Sequence, residues 1–231
     1  MRSESSGDFL SRISHTLEIP MHHPYSKPFI GGNVFDKYRS KNPIHRWLMR
    51  RFLTSLRTML SQIEFKSVLE VGCGPGDLAS NIVPPSADYL GIDIDAAQID
   101  LARSRYPQLK FEKGDAYTLP VEEKSYDLVI ACEVLEHLED PGQALTEIDR
   151  VTKQWVLISV PQEPMWRILN IARGKYLSDF GNTPGHIQHF IPRELAQLVA
   201  FQFHVYVIKS VAPWTVLLAR KKHETIVNRL N

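Results

Sequence analysis

At 231 residues the chain has room for one α/β domain with an elaboration, or for two small domains. Its 43% hydrophobic and 23% charged residues are those of an ordinary globular protein, and a net charge of +1 gives no global electrostatic case for nucleic acid or an acidic partner. No apolar run approaches the roughly 20 residues needed to span a membrane, and the opening MRSESSGDFLSR lacks the apolar segment of a signal peptide. Cys73 and Cys132 fall at the ends of predicted strands, which suggests reduced thiols and a cytoplasmic protein.

Residues 1 to about 40 combine Pro20, Pro24 and Pro28 with His15, His22, His23 and the aromatics Tyr25, Phe29, Phe35 and Tyr38. The prolines disfavour one long helix, and the aromatics argue against simple disorder from Tyr25 onward. Asn42 as N-cap and Pro43 behind it begin a helix. Ile44, Trp47, Leu48, Phe52, Leu56, Met59 and Ile63 define its predicted buried face. Arg46, Arg50 and Arg57 form another stripe, read as a solvated surface or as a contact for an anionic substrate or headgroup.

The stretch SVLEVGCGPGDL, Ser67 to Leu78, predicts a buried parallel strand, a tight turn and a helix from about Asp77. Gly72, Gly74 and Gly76 let the backbone turn sharply and a ligand approach it. The third glycine comes one residue earlier than in the G-x-G-x-x-G of nicotinamide oxidoreductases, and Glu70 would repel a pyrophosphate but favour a cationic ligand. Asp88 to Ile92 is a second strand ending at Asp93. Asp95 then caps a helix, with Gln98 as its capping-box partner, and Pro107 ends that helix. Leu109–Lys113 and Tyr126–Ala131 are further strands, the first followed by Gly114-Asp115-Ala116 and the second by Cys132-Glu133-Val134-Leu135-Glu136-His137-Leu138. Asp140-Pro141 starts a helix, and Trp155–Val160 is a fifth strand. After Pro192 a helix runs to about Ala200, and Phe203–Ile208 and Trp214–Ala219 are strands too close in sequence for a helical crossover, so they pair antiparallel.

E-x-G-x-G-x-G, the G-I-D-I-D around Asp93, Gly114-Asp115 and the V-L-E-H-L segment together resemble the class I S-adenosylmethionine-dependent methyltransferases, in particular the type 11 and ubiquinone-biosynthesis-like small-molecule enzymes. The resemblance is specific over residues 67 to 160 and architectural over 192 to 220. The fold expected is α/β and Rossmann-like: a doubly wound, seven-stranded, mostly parallel sheet with one antiparallel strand near the C-terminus, plus an N-terminal helical segment and a lid insert. Residues 1–64 would be the extension that helps form the lid, and 65–231 the cofactor-binding core with its insert at 161–191. By resemblance the cofactor, S-adenosyl-L-methionine, meets Glu70, Gly72, Cys73, Gly74, Gly76, Asp93, Ile94, Gly114, Asp115, Ala116, Cys132 and Glu133. Asp93 would take both ribose hydroxyls, Asp115 would lie beside the adenine amino group, and Glu133 would face the methionyl amine, with Glu136 solvated.

The insert, too long for a plain loop, carries a predicted helix at Met165–Ala172 and many groups able to orient a substrate. Tyr25, Tyr38, Trp166, Arg167, Arg173 and Tyr176 are the candidate acceptor contacts. His186, His189 and His137 are the candidate bases, since imidazole titrates near neutral pH, with His137 the more structural of the three. The H-x-x-H spacing of His186 and His189 lacks the H-E-x-x-H glutamate and a third ligand nearby in sequence, so no metal is expected there. The expected activity is methyl transfer to a small or lipid-like acceptor, with O-methylation favoured and no nucleic-acid acceptor, because Ala-Cys-Glu-Val stands where nucleic-acid amino-methyltransferases carry an Asn/Asp-Pro-Pro-aromatic tetrapeptide. The alternative is a non-catalytic adenosylmethionine-binding regulatory or partner subunit.

Overall fold

The structure is a computed structural model and describes residues 38–222, so Tyr25 and the other candidates of the first 37 residues lie outside the described residues. Helix α1 (Pro43–Leu60) begins where its chemistry dictates: Asn42 Oδ1 accepts from the backbone N–H groups of Ile44 and His45. Its buried residues are Met49, Phe52, Leu56, Met59 and Leu60. The expected face therefore needs correction: Ile44 and Trp47 are 65% and 53% exposed, because the seam that seats on the sheet starts only at Met49. Arg57 also departs from a purely solvated stripe, donating from Nε to Asn81 O at 2.9 Å.

Seven strands follow: β1 (Ser67–Val71), β2 (Asp88–Asp93), β3 (Lys110–Lys113), β4 (Tyr126–Cys132), β5 (Thr152–Pro161), β6 (Phe203–Val211) and β7 (Trp214–Lys221). They form one sheet in the order β3-β2-β1-β4-β5-β7-β6. β1 to β5 pair in parallel, while β7 runs antiparallel to both β5 and β6. The chain winds outward from β1 to β3, then returns to place β4 on the other side of β1. That reversal opens a crevice between the carboxyl ends of β1 and β4, where open α/β sheets take their ligands.

Adjacent strand residues bury themselves on opposite faces. Val68, Leu128, Leu157 and Leu218 pack under α1 and α3 (Ala96–Arg105), whereas Leu69, Val129, Val156 and Leu217 pack under α4 (Pro141–Val151) and α6 (Pro192–Val199). Both faces being covered explains why the strands read as continuous apolar runs. α3 and α4 start at Asp95 and Asp140, whose side chains accept from Ala97 N and Gln143 N. The helix expected from Asp77 is instead one turn, α2 (Ala79–Ile82), because the Asp77 carboxylate is drawn away to Arg105 and Tyr106 rather than capping it.

The insert after β5 holds α5 (Met165–Ala172), a single 3₁₀ turn at Leu177–Asp179 and a return limb leading to α6. Among the described residues no helix is long and apolar enough to cross a membrane.

Candidate active site

Three loops meet at the carboxyl ends of β1, β2 and β3, tied hand to hand by hydrogen bonds. Gly72 N and Cys73 N donate to Ile92 O at 2.7 and 3.0 Å. Gly74 N donates to Asp93 Oδ2 at 2.8 Å and Asp95 N to Asp93 Oδ1 at 2.9 Å. Gly114 N donates to Asp93 O at 3.0 Å, and Asp115 Oδ1 accepts from Tyr117 N at 2.9 Å. Gly74 has φ +50°, and a Cβ there would meet no atom within 4 Å, so this turn presents bare backbone to open space. Ile94 is partly exposed beside it, while Ala116 is half-buried behind Asp115.

Glu70 lies deeper than a ligand contact at the loop tip. It is 2% exposed and accepts a 2.7 Å hydrogen bond from Tyr89 Oη. Burial pushes its pKa from 4.5 to about 8 against that bond, with the nearby Asp93 and Asp77 adding to the rise. The folded state thus holds a proton that the unfolded chain has already lost. Stability from this group is full below pH 4.5 and falls as pH rises towards about 8. Glu70→Gln is expected to flatten that fall, by about 5 kcal/mol at most, in urea unfolding followed across the same pH range. An unchanged slope would show that Glu70 is ionised in the fold.

Asp77 was not singled out by the sequence beyond its place at a helix start. It is 3% exposed, with Arg105 Nη1 at 2.9 Å, Tyr106 Oη at 2.7 Å and Arg39 Nη2 at 3.6 Å. Its partners come from the end of α3 and from the segment before α1, a convergence with no sequence spacing to betray it. Beside Arg39, the phenol of Tyr38 is pushed well above its ordinary range, first by burial and then by Cys132, Glu70, Glu133 and Asp77. Tyr38 packs against the core cluster that includes Cys73 and Cys132.

At the end of β4, Cys132 is buried and Glu133 adopts a left-handed backbone, φ +62°, with its N–H donating to Ser159 O at 2.9 Å. A non-glycine residue in that region costs roughly 1–3 kcal/mol and persists only where its surroundings enforce it. Both cysteines are free thiols, and burial pushes that of Cys73 far up, leaving it inert. Glu136 is not solvated as expected but 1% exposed, because the return limb of the insert closes over it: Ile187 N and Gln188 N both donate to Glu136 O, at 2.9 and 3.0 Å. His137 Nδ1 lies 2.9 Å from Gly185 O and Nε2 lies 4.0 Å from Glu136 Oε1. The His186 ring meets that of His137 edge-on at 4.9 Å and stacks on Trp166 at 6.1 Å.

The remaining insert candidates go elsewhere. His189 Nε2 pairs with Asn182 Oδ1 at 2.9 Å, so the H-x-x-H pair does not converge. Arg167 donates to Phe180 O at 3.1 Å, and Tyr176 turns the chain at φ +54°. Arg173 bonds Asn170 Oδ1 and reaches His45 Nε2 of α1 at 3.2 Å. Of the six expected acceptor contacts, Tyr38 packs on the same core cluster as Cys73 and Cys132, and Trp166 joins the histidines.

Residues 69–158 match the model of the methyltransferase domain family. With the sheet order and the glycine turn, this gives the core of the chain the arrangement of a class I S-adenosylmethionine-dependent methyltransferase domain. Over 178 residues, 76% of this chain, it is 31% identical to a probable S-adenosylmethionine-dependent methyltransferase of Mycolicibacterium smegmatis, of which it spans 65%. It is 35% identical over 94 residues, 38% of this chain and 40% of the relative, to a ubiquinone biosynthesis O-methyltransferase of Acinetobacter baylyi. The chain thus spans less than two thirds of the length of these relatives. Among solved structures the fold is shared with magnesium protoporphyrin IX methyltransferase of Synechocystis PCC 6803 with bound SAH (TM-score 0.61, 17% identity, 81% of this chain and 94% of that one). It is shared equally with a protein of Pyrococcus horikoshii OT3 (TM-score 0.63, 18% identity, 82% and 97%). The bare backbone at Gly74 and the carboxylates Asp93 and Asp115 fit a ligand that carries an ammonium and a sulfonium and no phosphate, whereas the protonated Glu70 beneath them adds no charge.

Proposed function

We propose that this protein transfers a methyl group from S-adenosylmethionine to a hydroxyl of a small-molecule or lipid-like acceptor held beneath the 161–191 insert. In this reading Asp93 binds the ribose hydroxyls, Asp115 and Ala116 the adenine, the Gly72–Gly76 backbone the methionyl portion, and Glu133 its ammonium. Bound there, the cofactor supplies an electrophilic methyl carbon. The chain's own task is to place the acceptor's oxygen against it, keep water away and receive the hydroxyl proton. The observation that carries the reading is the grouping of Glu136, His137 and His186 under Trp166 at the end of β4, beside the loops assigned to the cofactor. His137 Nδ1 donates to Gly185 O, which fixes the ring with Nε2 on the Glu136 side of the cluster. Of the 1–64 extension, the described part, residues 38–64, acts with the insert as the lid, and the Arg173–His45 contact is one seam between them. The Acinetobacter relative's name supports oxygen as the acceptor atom.

The test is transfer of radiolabel from methyl-tritiated S-adenosylmethionine to a panel of phenols and catechols of increasing alkyl-chain length. Label is expected in the organic extract, and His186→Ala is expected to lower kcat by about 10²-fold or more with the affinity for S-adenosylhomocysteine retained. Tight S-adenosylhomocysteine binding with no label transferred to any hydroxylated acceptor would favour the non-catalytic subunit instead.

A further inference from the structure

We infer that Glu136, His137 and His186 form a three-ligand site for a divalent transition metal of the zinc class. One ligand atom from each of the three residues lies within 4.8 Å of the others. A common centre then stands within about 2.8 Å of each, so shifts of under about 1 Å reach the ~2.0–2.2 Å of zinc–nitrogen and zinc–oxygen bonds. Two imidazoles and a carboxylate are the donor set of open zinc sites, with the fourth position left to water or a substrate oxygen.

The orientation of His137 sharpens this. Gly185 O can only accept, so the 2.9 Å contact places a ring proton on Nδ1 and turns Nε2 towards the Glu136 side. Nε2 lies 4.0 Å from Glu136 Oε1, on a carboxylate that is 1% exposed. The backbone carbonyl on the far nitrogen is the outer-shell partner that metal-bound histidines characteristically have.

The site is also pre-built. Glu136 and His137 come from the turn after β4 and His186 from the insert, and the two segments are already pinned by Ile187 N and Gln188 N on Glu136 O. Trp166 holds the His186 ring by stacking and is itself fixed by donating from Nε1 to Thr183 Oγ1 at 2.9 Å. An ion here would clamp the insert to the core. This binding stands without the methyl-transfer reading; only the ion's use, holding the acceptor's oxygen in the fourth position, rests on it.

The experiment uses the full chain, stripped with EDTA and titrated calorimetrically with Zn²⁺ and spectroscopically with Co²⁺. One equivalent is expected, with the strong visible bands of four-coordinate Co²⁺. His186→Ala and Glu136→Gln are each expected to weaken Zn²⁺ binding at least ~10-fold, while His189→Ala leaves it unchanged. His186 lies on the insert, so its variant carries the test even if the buried Glu136→Gln fails to fold. Absence of stoichiometric Zn²⁺ binding, or an equal loss in His189→Ala, would overturn the site. S-adenosylhomocysteine titrated into the same stripped sample reports separately on the methyltransferase reading, since Asp93, Asp115 and the glycine turn, at the ends of β1 to β3, supply no ligand to the metal.

Discussion

Asp93→Ala is expected to weaken binding of S-adenosylmethionine by about 10²-fold or more. Both carboxylate oxygens of Asp93 accept backbone hydrogen bonds, from Gly74 N and Asp95 N, so the side chain shapes the glycine turn as well as pointing a charge at it. In the proposed reading the same oxygens keep lone pairs for two ribose hydroxyls. Charge-assisted bonds are worth about 1.5–3 kcal/mol each, and losing two of them accounts for the stated range. Burial pushes the Asp93 pKa up, while the bonds from Asp95, Gly74 and Ile94 restrain it. Isothermal titration is the measurement. Asp93→Asn, which keeps one carbonyl oxygen for the turn, is expected to fall between the two, and unchanged affinity in Asp93→Ala would remove this residue from the cofactor site.

The second large effect is on the fold itself. Gly72→Ala is expected to destabilise the protein by roughly 2–5 kcal/mol, read by urea denaturation. Gly72 has φ +69°, which any side chain finds strained, and its new Cβ would sit 2.5 Å from Cγ2 of Val134. Valine is stiff at χ1 and Val134 is itself buried next to the turn that bears Glu136 and His137, so the clash cannot be relieved by a side-chain swing. Gly74→Ala, with the same sign of φ and open space where the Cβ would point, is expected to cost only the backbone strain of about 1–2 kcal/mol. Equal losses in the two variants would show that strain alone, and not packing on Val134, governs the turn.

The contrast between these glycines marks where local reading ends. The spacing E-x-G-x-G-x-G was enough to announce a strand, a tight turn and a cofactor pocket, because backbone sterics are a local property; only with Asp93, Gly114-Asp115 and the V-L-E-H-L segment did it resemble an adenosylmethionine site. That Gly72 packs on Val134 while Gly74 faces open space depends on how β4 is laid beside β1. The helix caps Asn42, Asp95 and Asp140 and the strands were legible for the same local reason: periodicity and capping act over a few residues. Ile44 and Trp47 fitted the helical period yet are exposed, since period says which residues share a face and not how far along the helix a neighbour extends.

By itself, then, the sequence determined the α/β architecture, the antiparallel C-terminal pair and the methyltransferase class, all of which follow from short-range pattern. Only the tertiary structure decided which polar groups meet. It buried Asp77 among Arg39, Arg105 and Tyr106, took His189 away to Asn182, and brought His186 from the insert, 49 residues on from His137, to stand against it and Glu136. The physical reason is that such contacts are closed by chain segments distant in sequence, whose encounter is fixed by the packing of the sheet and the return of the insert.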